Sequence, residues 1–157
     1  MTKLYILCGP SGSGKSTWAT DFIKNHNDVW YVSRDAIRLG MLKDNEPNFA
    51  HEKEVFRIFV QKIATIIMDN HNCIADATHL NEFSRRKLTQ ALDMYTKDYE
   101  IVYVVFNINL KTCLARNAKR EGRACVPESA ITRMFRDFKH PTLDEDERIV
   151  EVLDYDE

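Results

Sequence analysis

Leu4-Tyr5-Ile6-Leu7-Cys8-Gly9-Pro10-Ser11-Gly12-Ser13-Gly14-Lys15-Ser16-Thr17 joins an apolar, strand-like run to a helix through a glycine-rich turn. Gly9 to Ser16 matches the phosphate-loop pattern G-x-x-x-x-G-K-[ST] without a mismatch. A polyphosphate needs several backbone N–H groups turned inward, and residues without a Cβ let the chain wrap that tightly. Gly9, Gly12 and Gly14 are three of only five glycines in the chain. The pattern predicts a nucleoside triphosphate site built from Gly9, Ser11, Gly12, Ser13, Gly14, Lys15, Ser16 and Thr17. In it Lys15 reaches the β- and γ-phosphates and Ser16 ligates Mg²⁺. A helix starting near Gly14 would aim its positive end at the same anion.

Composition agrees with one soluble domain over residues 1–157. The chain is 44 % hydrophobic and 29 % charged, enough for a single core. A net charge of −2 argues against a general nucleic-acid coat protein. That charge is uneven: residues 144–157 hold eight acids and one Arg, which leaves +5 on the remainder. Cys8, Cys73, Cys113 and Cys125 show no C-x-x-C spacing, and two fall in strand-like runs, as expected for reduced thiols of a cytoplasmic protein. The first apolar run is only five residues long, too short for a signal peptide, and nothing approaches a membrane span.

Hydrophobic patterning alternates strand and helix along the whole chain. Strands are expected at 3–8, 29–32, 73–75, 101–106 and, as an edge, 149–153. Helices are expected at 15–25, from about 33, at 51–70, at 81–97, at 110–120 and at 127–139. Phe56, Phe59, Val60, Ile63 and Ile67 repeat at helical spacing. Such alternation implies a parallel sheet wrapped by helices. Trp18 and Trp30 read as core residues, and the five histidines have no metal-ligand spacing.

Four sets of side chains are candidates for chemistry. Asp35 follows the second strand, so it should face the same crevice as the phosphate loop. A carboxylate there can take a proton from an attacking hydroxyl, and Arg38, one turn on, can hold an anion on the acceptor. Spacing alone weighs this equally against a helix N-cap Asp beside a solvated Arg. Asp76 ends the third strand, where a carboxylate helps place Mg²⁺ or its waters; its bland reading is a turn-starting Asp. Arg116 and Arg120, at i and i+4, would share a helix face with Arg123 just beyond. They suit a lid that clamps a transferring phosphoryl group, although spacing alone favours a solvated basic face. Arg85, Arg86 and Lys87 could contact acceptor phosphates or equally face solvent.

Taken together, Gly9 to Thr17, Ser33-Arg34-Asp35-Ala36-Ile37-Arg38, Ile74-Ala75-Asp76-Ala77-Thr78 and Arg116-Asn117-Ala118-Lys119-Arg120 ahead of Val126-Pro127 resemble the 5′-kinase domain of phage and bacterial polynucleotide kinases. The resemblance runs to about residue 140. It implies an α/β, adenylate-kinase-like P-loop fold with about five parallel strands, flanking helices and a small helical lid. It implies an ATP- and Mg²⁺-dependent phosphotransferase acting on 5′-hydroxyl ends of RNA or DNA. Lys15 and Ser16 would serve phosphates and metal, Asp35 would be the base, and Arg38 would hold the neighbouring phosphate. Asp76 would belong to the metal or acceptor side, with Thr78 and Arg85 near the acceptor, and Arg116 and Arg120 would form the lid. His79 departs from the Asn that family members often carry there. No Asp-x-Asp-x-Thr motif is present, so a fused phosphatase is not expected, which leaves room for a separate ligase or phosphatase as partner. The rival expectations are a small-molecule kinase for a sugar, nucleotide sugar or nucleoside, and a low-turnover nucleotide switch.

Overall fold

A computed structural model describes residues 1–144 and 147–153. Six of the fourteen residues of the acidic segment (145, 146 and 154–157) therefore lie outside the described residues. Five strands form one parallel sheet: β1 (Thr2–Cys8), β2 (Val29–Ser33), β3 (Asn72–Asp76), β4 (Tyr99–Asn107) and β5 (Arg148–Leu153), in the order β2-β3-β1-β4-β5. The register sets Ser33 beside Asp76 at one end of the sheet, with Ile6 beside Ala75 and Cys8 beside Val105. The central strands are continuous apolar runs because both their faces are covered.

Six helices cover those faces: α1 (Lys15–Asn25), α2 (Arg34–Met41), α3 (Glu52–Met68), α4 (Glu82–Asp93), α5 (Leu110–Ala118) and α6 (Glu128–Asp137). On one side, Phe59, Ile63 and Ile67 of α3 and Leu88 and Leu92 of α4 pack on Leu4, Ile6 and Cys73. On the other, Ala19, Cys113 and Ile131 of α1, α5 and α6 pack on Leu7, Ile74 and Val104. Fully burying a side chain of this size contributes about 1.5–3 kcal/mol, so these two layers hold the sheet ends where the site is built. Among the described residues no helix is long and apolar enough to cross a membrane.

Local deviations from the sequence expectations have identifiable causes. Ser33, not Asp35, caps α2: its side chain accepts the Ala36 N–H at 3.1 Å, which removes the N-cap reading of Asp35. The helix α4 stops at Asp93 rather than near 97, where the Tyr99 hydroxyl donates to the Asp93 carboxylate at 2.8 Å. Trp30 is not core; it is 53 % exposed on the edge strand β2 beside His71. Cys8, Cys73 and Cys113 are buried free thiols and Cys125 is exposed.

Candidate active site

The phosphate loop closes between β1 and α1 because neighbouring backbone leaves no room for side chains. Gly12 has φ +83°, and a Cβ there would lie 2.5 Å from the Cys113 carbonyl oxygen. Helix α5 therefore packs directly against the loop. This contact brings Arg116 in: its Nη1 donates to the Gly12 carbonyl at 3.5 Å. The Gly9 N–H donates to the Thr78 carbonyl at 2.9 Å, tying the loop to the segment after β3. Lys15 reaches across the loop and donates to the carbonyls of Gly9 at 3.0 Å and Pro10 at 2.9 Å. Burial pulls its ammonium below the ordinary lysine value, the carboxylates of Asp76 and Asp35 pull the other way, and Arg120 adds to the lowering. Ser13 carries a buried hydroxyl with no hydrogen-bond partner among the described residues. An orphaned donor in a glycine loop, beside a buried ammonium and the open N–H groups of a helix start, fits a bound polyphosphate. Ser11 is buried in the loop, and Thr17 is exposed on the first turn of α1.

Asp76 meets Ser16 across the sheet end. The Ser16 hydroxyl donates to Asp76 Oδ2 at 3.1 Å, and the Tyr31 hydroxyl donates to the same oxygen. Burial raises the Asp76 carboxyl, with Lys15, Tyr31 and Ser16 opposing. Tyr31 is in turn pushed up to about 12, by burial first and then by Asp76. Two hard oxygen donors side by side at a phosphate loop fit Mg²⁺, which takes few protein ligands and completes its shell with water and phosphate. Tyr31 was not visible as a site residue in sequence, where it is one more aromatic in a strand. Its signal was alternation, which sends it to the α1 side of the sheet. Tyr31→Phe removes a donor to a buried carboxylate and is expected to cost about 1–2 kcal/mol in urea unfolding. An unchanged midpoint would mean water replaces the hydroxyl.

A cavity of about 360 Å³ opens beside the loop, lined by α2, the segment after β3, the α2–α3 loop and the stretch between α5 and α6. Asp35 is exposed into it, with 75 % of its side chain accessible, and is ion-paired with Arg38. Arg38 also meets Glu52, Nε to Oε1 at 2.5 Å and Nη2 to Oε2 at 3.0 Å, and Arg34 reaches Glu52 at 3.1 Å. Burial opposes the Arg38 charge, but Glu52 and Asp35 outweigh it and raise the guanidinium. Glu52 goes down in return, chiefly through the Arg38 hydrogen bond. Glu52 lies 14 residues beyond Arg38, so no spacing rule could pair them. Of five guanidinium donors, carboxylates engage three and leave the others for a ligand.

The arginine pair on α5 separates. The helix ends at Ala118, two residues earlier than expected, because the buried Asn117 side chain is locked to Val126. Arg116 goes to the phosphate loop, and Arg120 leaves the helix to line the cavity. The expected lid is short, a single 3-10 turn at Gly122–Ala124. Arg123 pins it across the cavity to Asn48 and to the carbonyls of Glu46 at 2.7 Å and Lys43 at 3.0 Å. Arg85 is buried rather than solvent-facing, and its Nε and Nη2 donate to the carbonyls of His79 at 2.9 Å and Lys139 at 2.5 Å. Thr78 lines the cavity, as does buried His79.

Comparison with known proteins shows relatives in sequence and in fold. A family model described as an AAA domain, AAA_33, matches residues 4–141. The chain belongs to this P-loop family. A protein of Autographa californica nuclear polyhedrosis virus named as a bifunctional polynucleotide kinase/RNA ligase is 23 % identical over 154 residues, covering 87 % of this chain and 21 % of its own length. A chain from the Pnkp1/Rnl/Hen1 RNA repair complex superposes with a TM-score of 0.75 at 28 % identity, covering 87 % of this chain and 43 % of that one. A sugar kinase from Janibacter sp. HTCC2649 has the same fold, with a TM-score of 0.66 at 17 % identity over 98 % of this chain and 86 % of its own. The chain thus spans about a fifth of the viral relative and under half of the RNA-repair chain. The fold is that of P-loop kinases, and the resemblance to polynucleotide kinase domains holds in both sequence and structure.

Proposed function

We propose that this chain is the kinase module of an ATP-dependent polynucleotide 5′-hydroxyl kinase acting on RNA or DNA ends. The observation that carries the reading is the cavity beside the phosphate loop. It combines an accessible carboxylate, Asp35, with a cluster of arginines and an apolar wall. A nucleic-acid end has a hydroxyl to deprotonate, a phosphate for the arginines and a base for the wall. A neutral sugar offers the hydroxyl but neither a phosphate for the arginines nor a base for the wall.

In this reading Lys15, Ser13 and the loop N–H groups bind the triphosphate, and Asp35 takes the proton of the attacking 5′-hydroxyl. Arg38, fixed by Glu52, presents its free N–H groups to the phosphate next to that nucleotide. Arg116 and Arg120 approach the donor phosphates from the α5 side and stabilise the charge that spreads over the transferring group. Ser16 and Asp76, held by Tyr31, would hold Mg²⁺. When bound, that ion neutralises phosphate charge and orients the transferring group. Phosphatase action is not part of the reading, and a ligase, such as the one named in the viral relative, would work alongside in the cytoplasm.

The test is transfer of labelled γ-phosphate from ATP to three acceptors: 5′-hydroxyl oligonucleotides of RNA and DNA, free nucleosides, and simple sugars. Transfer to the oligonucleotides, at kcat/KM well above that for nucleosides, is the expected result. Transfer to sugars alone would replace this reading with that of a small-molecule kinase. ATP binding with no transfer to any acceptor would make it a nucleotide switch.

A further inference from the structure

Phe49 is an exposed aromatic ring on a loop that is unusually well held. It is 68 % exposed and lies between α2 and α3, in turns without regular helix or strand. The loop is nevertheless pinned from several sides. Lys43 N–H donates to Glu46 Oε1 at 2.8 Å, Ala50 N–H to the Pro47 carbonyl at 3.1 Å, and Glu46 Oε2 meets His51 Nε2 at 2.6 Å. Arg123 crosses from the lid to bind Asn48 and the carbonyls of Lys43, Asp44 and Glu46. The Arg38 guanidinium, itself fixed by Glu52, stands 5.1 Å from the Phe49 ring centroid. Here the backbone is held so that the ring stays out, lining the cavity.

The rest of the wall extends the same surface. Leu39 and Leu42 line the cavity with Phe49, and Leu39 is 41 % exposed. Asp35, Leu39 and Leu42 recur at i, i+4 and i+7, so the carboxylate and the apolar positions share one face of α2 and its end. Seven residues of helix rise about 10 Å. That is comparable to the reach of a nucleoside from its 5′-oxygen to the far edge of its base.

We propose that Phe49, with Leu39 and Leu42, forms a stacking shelf for the nucleobase of the terminal nucleotide whose 5′-hydroxyl meets Asp35. The proposal rests on the kinase reading above and deepens it. One ring face is covered by Arg38, which stiffens the ring and places a cation where the adjoining phosphate would lie. The other face takes the base. Every base has a π-face, so the shelf accepts any terminal base and rejects acceptors without one. Phe49 is thereby a specificity-determining residue, distinct from the proton-accepting Asp35.

Two oligonucleotides that differ only at the 5′-hydroxyl nucleotide, one normal and one abasic, test this with wild type, Phe49→Ala and Phe49→Trp. Wild type is expected to prefer the normal end about tenfold in kcat/KM, mostly through KM. Phe49→Ala should raise KM for the normal end about tenfold and bring the preference between the two ends close to one, while Phe49→Trp retains the preference. A terminal 2-aminopurine reports stacking without turnover: its fluorescence should be quenched on binding wild type and not on binding Phe49→Ala. Equal use of both ends by wild type, or equal loss on both ends in Phe49→Ala, overturns the shelf and leaves the kinase reading intact. Phe49-dependent quenching without transfer keeps the shelf and overturns the kinase reading. Absence of both transfer and quenching overturns both.

Discussion

Asp35→Asn is expected to lower phosphoryl transfer to a 5′-hydroxyl by about 10²–10⁴-fold while leaving ATP binding close to wild type. The amide has the shape of the carboxylate but cannot accept the hydroxyl proton, so the loss should appear in kcat. Apart from its ion pair with Arg38 and its field at Lys15, the fold makes little use of that carboxylate. Asp35 is at the second position of α2, and the cap belongs to Ser33. Its side chain is 75 % accessible, and exposed ion pairs contribute only about 0–1 kcal/mol. Arg38 loses one partner and keeps Glu52. Nucleotide binding goes through Lys15 and the phosphate loop, on different elements. Single-turnover transfer and calorimetric ATP titration on the same preparation separate the two effects. Transfer within a few-fold of wild type would assign the proton to another acceptor.

Acid is expected to destabilise the fold well before the carboxylates titrate, because of His79. This imidazole is buried at the end of the sheet, with Nδ1 2.7 Å from the Leu7 carbonyl. Its pKa is pushed down to about 4, by burial first; Arg34, Arg85 and Lys15 add to the lowering and the Leu7 carbonyl opposes it. The unfolded chain takes up this proton near the ordinary histidine value while the folded chain does not. Stability is therefore complete above that value and falls as pH drops toward the folded value. The loss should be about 2 kcal/mol between pH 7.5 and pH 5, and about 3 kcal/mol by pH 4. Urea titrations at those pH values measure it. His79→Gln, which cannot take up the proton, should flatten the dependence above pH 5. A wild-type curve already flat there would mean that His79 charges without cost.

The same residue shows why part of the site was hidden in sequence. His79 stands out in the linear motif only as a departure from Asn. Its burial, and the Arg85 guanidinium that holds the His79 carbonyl at 2.9 Å, come from packing between β1, β3 and α4. Arg85 itself, in a basic run with Arg86 and Lys87, gave no sign of being inside. A long side chain can carry its charge to backbone carbonyls far away in sequence, as Arg85 does to Lys139.

Sequence alone determined the phosphate loop, the alternation of strands and helices, and the position of Asp35 and Arg38 past the second strand and of Asp76 at the end of the third. These are local properties: glycine geometry, hydrophobic period and chain order each act over a few residues. Tertiary structure alone decided which distant groups complete them. The strand order places Tyr31 and Asp76 on adjacent strands and so gives Asp76 its second donor. The approach of α5 to Gly12, at a distance only glycine permits, delivers Arg116. The early end of α5 at Asn117 sends Arg120 to the cavity instead of along a shared helix face. Glu52 and Phe49 become partners of Arg38 because α2 and α3 fold back on each other. Each of these contacts joins residues many positions apart, and only packing that excludes water brings such residues within bonding distance.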